Sequence, residues 1–147
     1  MHSDRMARQA WLPIGAALIF AISAFGSYSS IAAAADIKVM LAGDQEVPPV
    51  KSAGAGAGTI IIGTDRTISG SVTSTGIAGT AAHIHEAAPG KNGPVIVPLT
   101  KDGNTYAVPA GAKLTDAQFA SFQAGNLYVN VHTAANPGGE VRGQLKP

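Results

Sequence analysis

"LYVNVHTAANPGGEVRGQL", residues 127–145, decides the fold class. Leu127, Val129 and Val131 alternate with Tyr128, Asn130 and His132; beyond "TAANPGG", Val141, Gly143 and Leu145 alternate with Glu140, Arg142 and Gln144. A period of two is the strand period, so each run presents one apolar and one polar face. Asn, Pro and a pair of glycines between the runs are turn residues, and the unit is predicted to be an antiparallel hairpin. A fold-back about Asn136 sets His132 opposite Glu140 and Asn130 opposite Arg142. Slipping the pairing by two residues keeps the faces and changes the partners, whereas a slip of one would turn the polar set into the core.

The same grammar runs outward from this hairpin. "DIKVMLAG" reads as a first strand, "TIIIGTDRTISGSVTS" as a hairpin turning near Asp65 and Arg66, and "TAAHIHEA", "GPVIVPLT" and "NTYAVPAG" as further short strands. "VPPVKSAGAGAG" between the first two is read as a flexible connection, because alternating Gly and Ala leave little to pack. One helix is signalled in "LTDAQFASFQAGN": Thr115 and Gln118 form a capping box, Leu114 and Phe119 a hydrophobic staple, and Gly125 the stop. Phe119 and Phe122 share a face and are expected to anchor the helix to the sheet. Many short strands, Gly/Pro turns and a single helix in a connection predict an all-β, antiparallel Greek-key β-sandwich.

Residues 1–35 have the layout of a secretory signal peptide, with basic Arg5 and Arg8, the apolar run "WLPIGAALIFAISAF" and small Ala33, Ala34 and Ala35 before Asp36. The expected product is one exported domain, residues 36–147, in the periplasm or secreted, with no membrane association after cleavage. From Asp36 onward the chain carries eight basic and eight acidic residues and no basic stripe, so nucleic acid is not an expected partner. The absence of cysteine removes thiol catalysis, thiolate ligands and disulfides. Any metal or catalytic role therefore falls to His, carboxylates and hydroxyls.

Histidine is sparse. Outside the leader it occurs at His83, His85 and His132, all in predicted strands and all on polar faces. Side chains at i and i+2 of a strand stand side by side, so His83 and His85 can reach one ion at about 2.0 Å each, and His132 can complete the set if its strand lies adjacent. Imidazole-only ligation favours copper, with zinc as the alternative. Glu140, opposed to His132, is the expected outer partner orienting that ring. Glu86 alternates to the apolar side and carries little weight as a ligand. The bland reading is that the histidines only hydrogen-bond across strands, in a structural or protein-interaction module without metal.

"LAGDQEVPPV", "AAHIHEAAPGKNGPVIVPL" and "LYVNVHTAANPGGEVRGQL" together resemble the signature blocks of the CHRD domain family, named after chordin. The resemblance implies an exported, non-catalytic module whose partner would be an extracytoplasmic protein. "AAHIHE" and "LYVNVHTAANPGGEVRG" are also similar to blocks of copper/zinc superoxide dismutases, which are Greek-key sandwiches. That likeness implies His83, His85 and His132 as copper ligands and Arg142 as a guide for an anion; the sandwich predicted from the strands is immunoglobulin-like or superoxide-dismutase-like. It further raises a copper-only, dismutase-like redox enzyme as an alternative. This chain departs from those enzymes in having no histidine between Glu86 and Tyr106 and no cysteine, so their zinc half and their disulfide have no counterpart. For Arg142 the bland alternative is a pairing with Glu140 or with a neighbour.

Overall fold

The computed structural model describes residues 34–147. Nine strands and one helix follow in order: β1 (Ala35–Ala42), a 3-10 turn at Gly43–Gln45, β2 (Ala55–Ile62), β3 (Ile68–Thr75), β4 (Gly79–Glu86), β5 (Val95–Pro98), β6 (Thr100–Asp102), β7 (Thr105–Ala107), α1 (Asp116–Gln123), β8 (Leu127–Thr133) and β9 (Val141–Leu145). All nine strands join one antiparallel sheet in the order β5-β4-β8-β9-β1-β2-β3-β7-β6. Its two edge strands, β5 and β6, are consecutive in the chain and separated only by Leu99, whose N–H donates to the Ala82 carbonyl at 3.0 Å. The sheet therefore rolls until its edges meet, which protects both of them. The all-β class is as expected, and the two layers of the sandwich are opposite walls of this one rolled sheet.

The inner face is the apolar set that the alternation picks out. Val129, Val131, Ile84, Ala82, Val141 and Leu145 are fully buried, with Ile37, Val39, Leu41, Ile60, Ile62 and Val72 facing them. Each large aliphatic side chain so buried contributes about 1.5–3 kcal/mol. The final hairpin takes the expected register, pairing Leu127 with Leu145, Val129 with Gly143 and Asn130 with Arg142. The α1 cap is as read: Thr115 Oγ1 accepts from the Gln118 N–H and Gln118 Oε1 from the Thr115 N–H, while Gly125 takes φ +75° at the exit. Phe122 enters the core and Phe119 packs at its rim.

The Gly-Ala run departs from expectation. Ala55, Gly56, Ala57 and Gly58 open strand β2, paired with β1 on one side and β3 on the other. The glycines are there for closeness: a Cβ on Gly58 would run into the backbone of Ser71 and Val72 on β3. The leader reading falls on residues outside those described, except that Ala35 already lies in β1, paired with Ile62. Among the described residues no helix is long and apolar enough to cross a membrane.

Candidate metal centre

Strands β4 and β8 are neighbours, and this adjacency brings the three histidines together. Ala82 and Ile84 on β4 pair with Val131 and Val129 on β8 and point inward. Alternation therefore sends His83, His85, Tyr128, Asn130 and His132 outward, with His85 opposite Tyr128, His83 opposite Asn130 and His132 opposite Ala81. His83 and His132 then sit diagonally across the strand pair, and their rings approach to 4.7 Å between centroids. His85 lies 5.7 Å from His83 and 6.1 Å from His132 by the same measure. One ligand nitrogen from each ring falls within a single cluster no more than 4.8 Å across.

Two rings are held by their outer nitrogens. His85 Nδ1–H donates to the Gly93 carbonyl at 2.9 Å, and His132 Nδ1–H to the Pro137 carbonyl at 2.9 Å. Each Nε2 is then a lone pair aimed into the cluster. His83 Nδ1 lies 2.9 Å from His132 Nε2. His85 Nε2 is buried and has no hydrogen-bond partner. Burial, reinforced by repulsion from His132, holds both His83 and His85 below the usual imidazole pKa, although the Gly93 carbonyl pulls the other way on His85. They are thus favoured in the neutral, ligating form.

What the alternation could not tell is that this polar face is itself covered. Tyr128 and Asn130 are 2% exposed and Arg142 1%. The covering layer is the connection after β1 and the segment after β4. Asn92 Nδ2 donates to the Val47 carbonyl, Gln144 Nε2 to the carbonyls of Ala87 and Gly125, and the Gly93 N–H to Tyr128 Oη. Gly93 can turn back against the end of β4 because it has no Cβ, which would collide with the Glu86 carbonyl. A signal was present in the sequence: a solvated strand face is usually Lys and Glu, and this one is Tyr, Asn, Arg and Gln.

Arg142 and Glu140 take partners other than those expected. Arg142, expected to guide an anion, is 1% exposed. Its guanidinium lies 3.4 Å over one face of the Tyr128 ring, whose other face stacks on His85 at 4.7 Å and 5°. Its amino groups donate to Asn92 Oδ1 and Gln144 Oε1, both at 3.3 Å. Glu140 neither orients His132 nor pairs with Arg142. Its carboxylate accepts from Thr133 Oγ1 and Ser52 Oγ, which hold its pKa below the usual value, and Pro137 takes the role at His132. Glu86 accepts from Ser121 Oγ, tying α1 to β4 away from the cluster.

Residues 37–145 match the family model of the CHRD domain, which covers most of the chain. The chain belongs to the CHRD domain family. None of the curated proteins and none of the solved structures compared matches this CHRD domain, so the likeness to copper/zinc superoxide dismutases rests on the quoted blocks alone. The family match runs from Ile37, within β1, to Leu145 at the end of β9, and encloses all three histidines and their covering segments.

Proposed function

We propose that this CHRD domain is an exported, non-catalytic module that binds one copper or zinc ion through His83 Nδ1, His85 Nε2 and His132 Nε2. The observation that carries the reading is the orphaned, buried Nε2 of His85 beside two further imidazole nitrogens. A buried lone pair without a donor costs about 1–3 kcal/mol, and an ion shared with the other two rings removes that cost. Nitrogens 2.9 Å apart, each about 2.0 Å from one ion, subtend roughly 90° at it, the angle of a tetragonal site. That angle favours copper(II), with zinc as the alternative.

Titration of copper(II) into the purified protein tests the reading. The expected result is one ion per chain with a nitrogen-coupled EPR spectrum, and a melting temperature that rises with copper concentration. Replacing His83, His85 and His132 together by Ala abolishes both. A wild-type protein that takes up neither copper nor zinc sinks the proposal.

A second reading has its own observation. A single proton can bridge His83 Nδ1 and His132 Nε2 at 2.9 Å, as expected of a structural or protein-interaction domain without metal. It leaves His85 Nε2 without a partner, and for that reason the metal reading is preferred. A copper-only, dismutase-like enzyme is the third possibility, and superoxide turnover by the copper-loaded protein separates it from the first. The buried position of Arg142 weighs against it.

A further inference from the structure

The metal reading leaves one side chain beside the imidazoles without a role. Asn130 pairs directly with His83, precedes His132 by two residues on the same face and is 2% exposed. Its amide is oriented by acceptors on one side: Nδ2 donates to the Gly138 carbonyl at 3.4 Å, and the buried Glu46 carboxylate lies against the same nitrogen, both groups packed on the Cα of Gly139. With the nitrogen so engaged, the oxygen points away from Glu46. Oδ1 is buried and no donor reaches it.

The ring of His85 borders that same amide. Its proton is committed through Nδ1 to Gly93, so its Nε2 offers Oδ1 a second lone pair and no hydrogen. While His85 is neutral, two buried acceptors lie side by side with no hydrogen between them; only a proton taken up on His85 Nε2, which burial disfavours, or a cation satisfies both.

We infer that Asn130 supplies a fourth donor, its side-chain carbonyl oxygen, to the ion held by His83, His85 and His132. The inference rests on the three-histidine reading and adds a neutral oxygen to it. A neutral amide oxygen with imidazoles suits copper(II) or zinc and adds no charge that a buried site would have to neutralise.

Copper(II) EPR and competition titration on the wild-type protein, Asn130→Ala and Asn130→Asp test it. Asn130→Ala should weaken copper binding about 10–100-fold and change the copper hyperfine splitting while keeping the nitrogen pattern of the imidazoles. Asn130→Asp, with an anionic oxygen at the same point, should bind more tightly than wild type and give a third spectrum. Should either variant fail to fold, wild-type protein carrying asparagine labelled with carbon-13 at the side-chain carbonyl decides. Electron–nuclear double resonance then shows a carbon coupling if an asparagine amide is bound. Absence of that coupling, or spectra and affinities identical in wild type and folded variants, overturns the role of Asn130 and leaves the three-histidine centre standing. A wild-type protein that binds no copper overturns both.

Discussion

Arg142 is almost completely buried, yet no carboxylate lies within salt-bridge distance of it, the one such pair among the described residues being Arg66 with Asp116. Its charge is compensated instead by the Tyr128 ring, by two amide oxygens and, at longer range, by Glu46. Glu46 is held in the reverse sense: burial pushes its pKa up, and the positive Arg142 and the Asn130 amide pull it down. The two charges therefore depend on each other. Arg142→Met is expected to destabilise the protein by about 1–3 kcal/mol, because it leaves the oxygens of Asn92 and Gln144 without a donor and Glu46 without its nearby positive charge. In a Glu46→Gln background the same change should cost measurably less, which urea unfolding of the four proteins of the cycle reads directly. Equal costs in the two backgrounds would show that the charges are not coupled. Alternation in "EVRGQL" locates the Arg142 side chain on the outer face beside Gln144, but its other partners, Asn92, Tyr128 and Glu46, are distant in sequence, and no local pattern encodes them.

At the scale of elements, what could be read was whatever has a local cause. The helix α1 is announced by its own cap, and the final hairpin by its alternation and turn, so both formed where the sequence places them. Strand β2 departs from the expected loop because Gly-Ala alternation is compatible with a loose loop and with a strand squeezed between two others. Only contact with β3 distinguishes them. That contact is testable: Gly58→Ala should cost about 1–3 kcal/mol, since the added methyl forces the Ser71–Val72 backbone away, whereas Ala57→Ser on the exposed side of the same strand should stay within about 0.5 kcal/mol. Thermal melts of the two variants suffice. Similar melts for both would mean that β2 and β3 do not pack as closely as described. The histidine cluster was legible for a related reason. The i, i+2 spacing of His83 and His85 is local, whereas the arrival of His132 depended on β4 and β8 being neighbours, a fact of topology that the separate strands do not state.

Over the whole molecule these burials set how stability depends on pH. His83 and His85 have folded pKa values below the unfolded value of 6.5, so in the window beneath 6.5 the unfolded chain binds more protons than the folded one. Stability of the metal-free protein must then fall as pH drops through that value. Nearer the carboxylate range two opposed effects meet. Glu140, with its pKa lowered from 4.5 by Thr133 and Ser52, contributes stability that is lost as pH falls through its folded pKa. Glu46, with its pKa raised by burial, takes up its proton in the folded state first and so offsets part of that loss. Between about pH 7.5 and 5.5 the two imidazoles drive the loss of stability, and Glu46 can only offset part of it. Metal-free wild type is expected to lose melting temperature steadily across that interval. A His83→Gln/His85→Gln variant, which has no imidazole left to charge at either position, should hold a nearly constant melting temperature until the carboxylates begin to titrate. A variant as pH-sensitive as wild type between pH 7.5 and 5.5 would place the acid-labile group outside this pair.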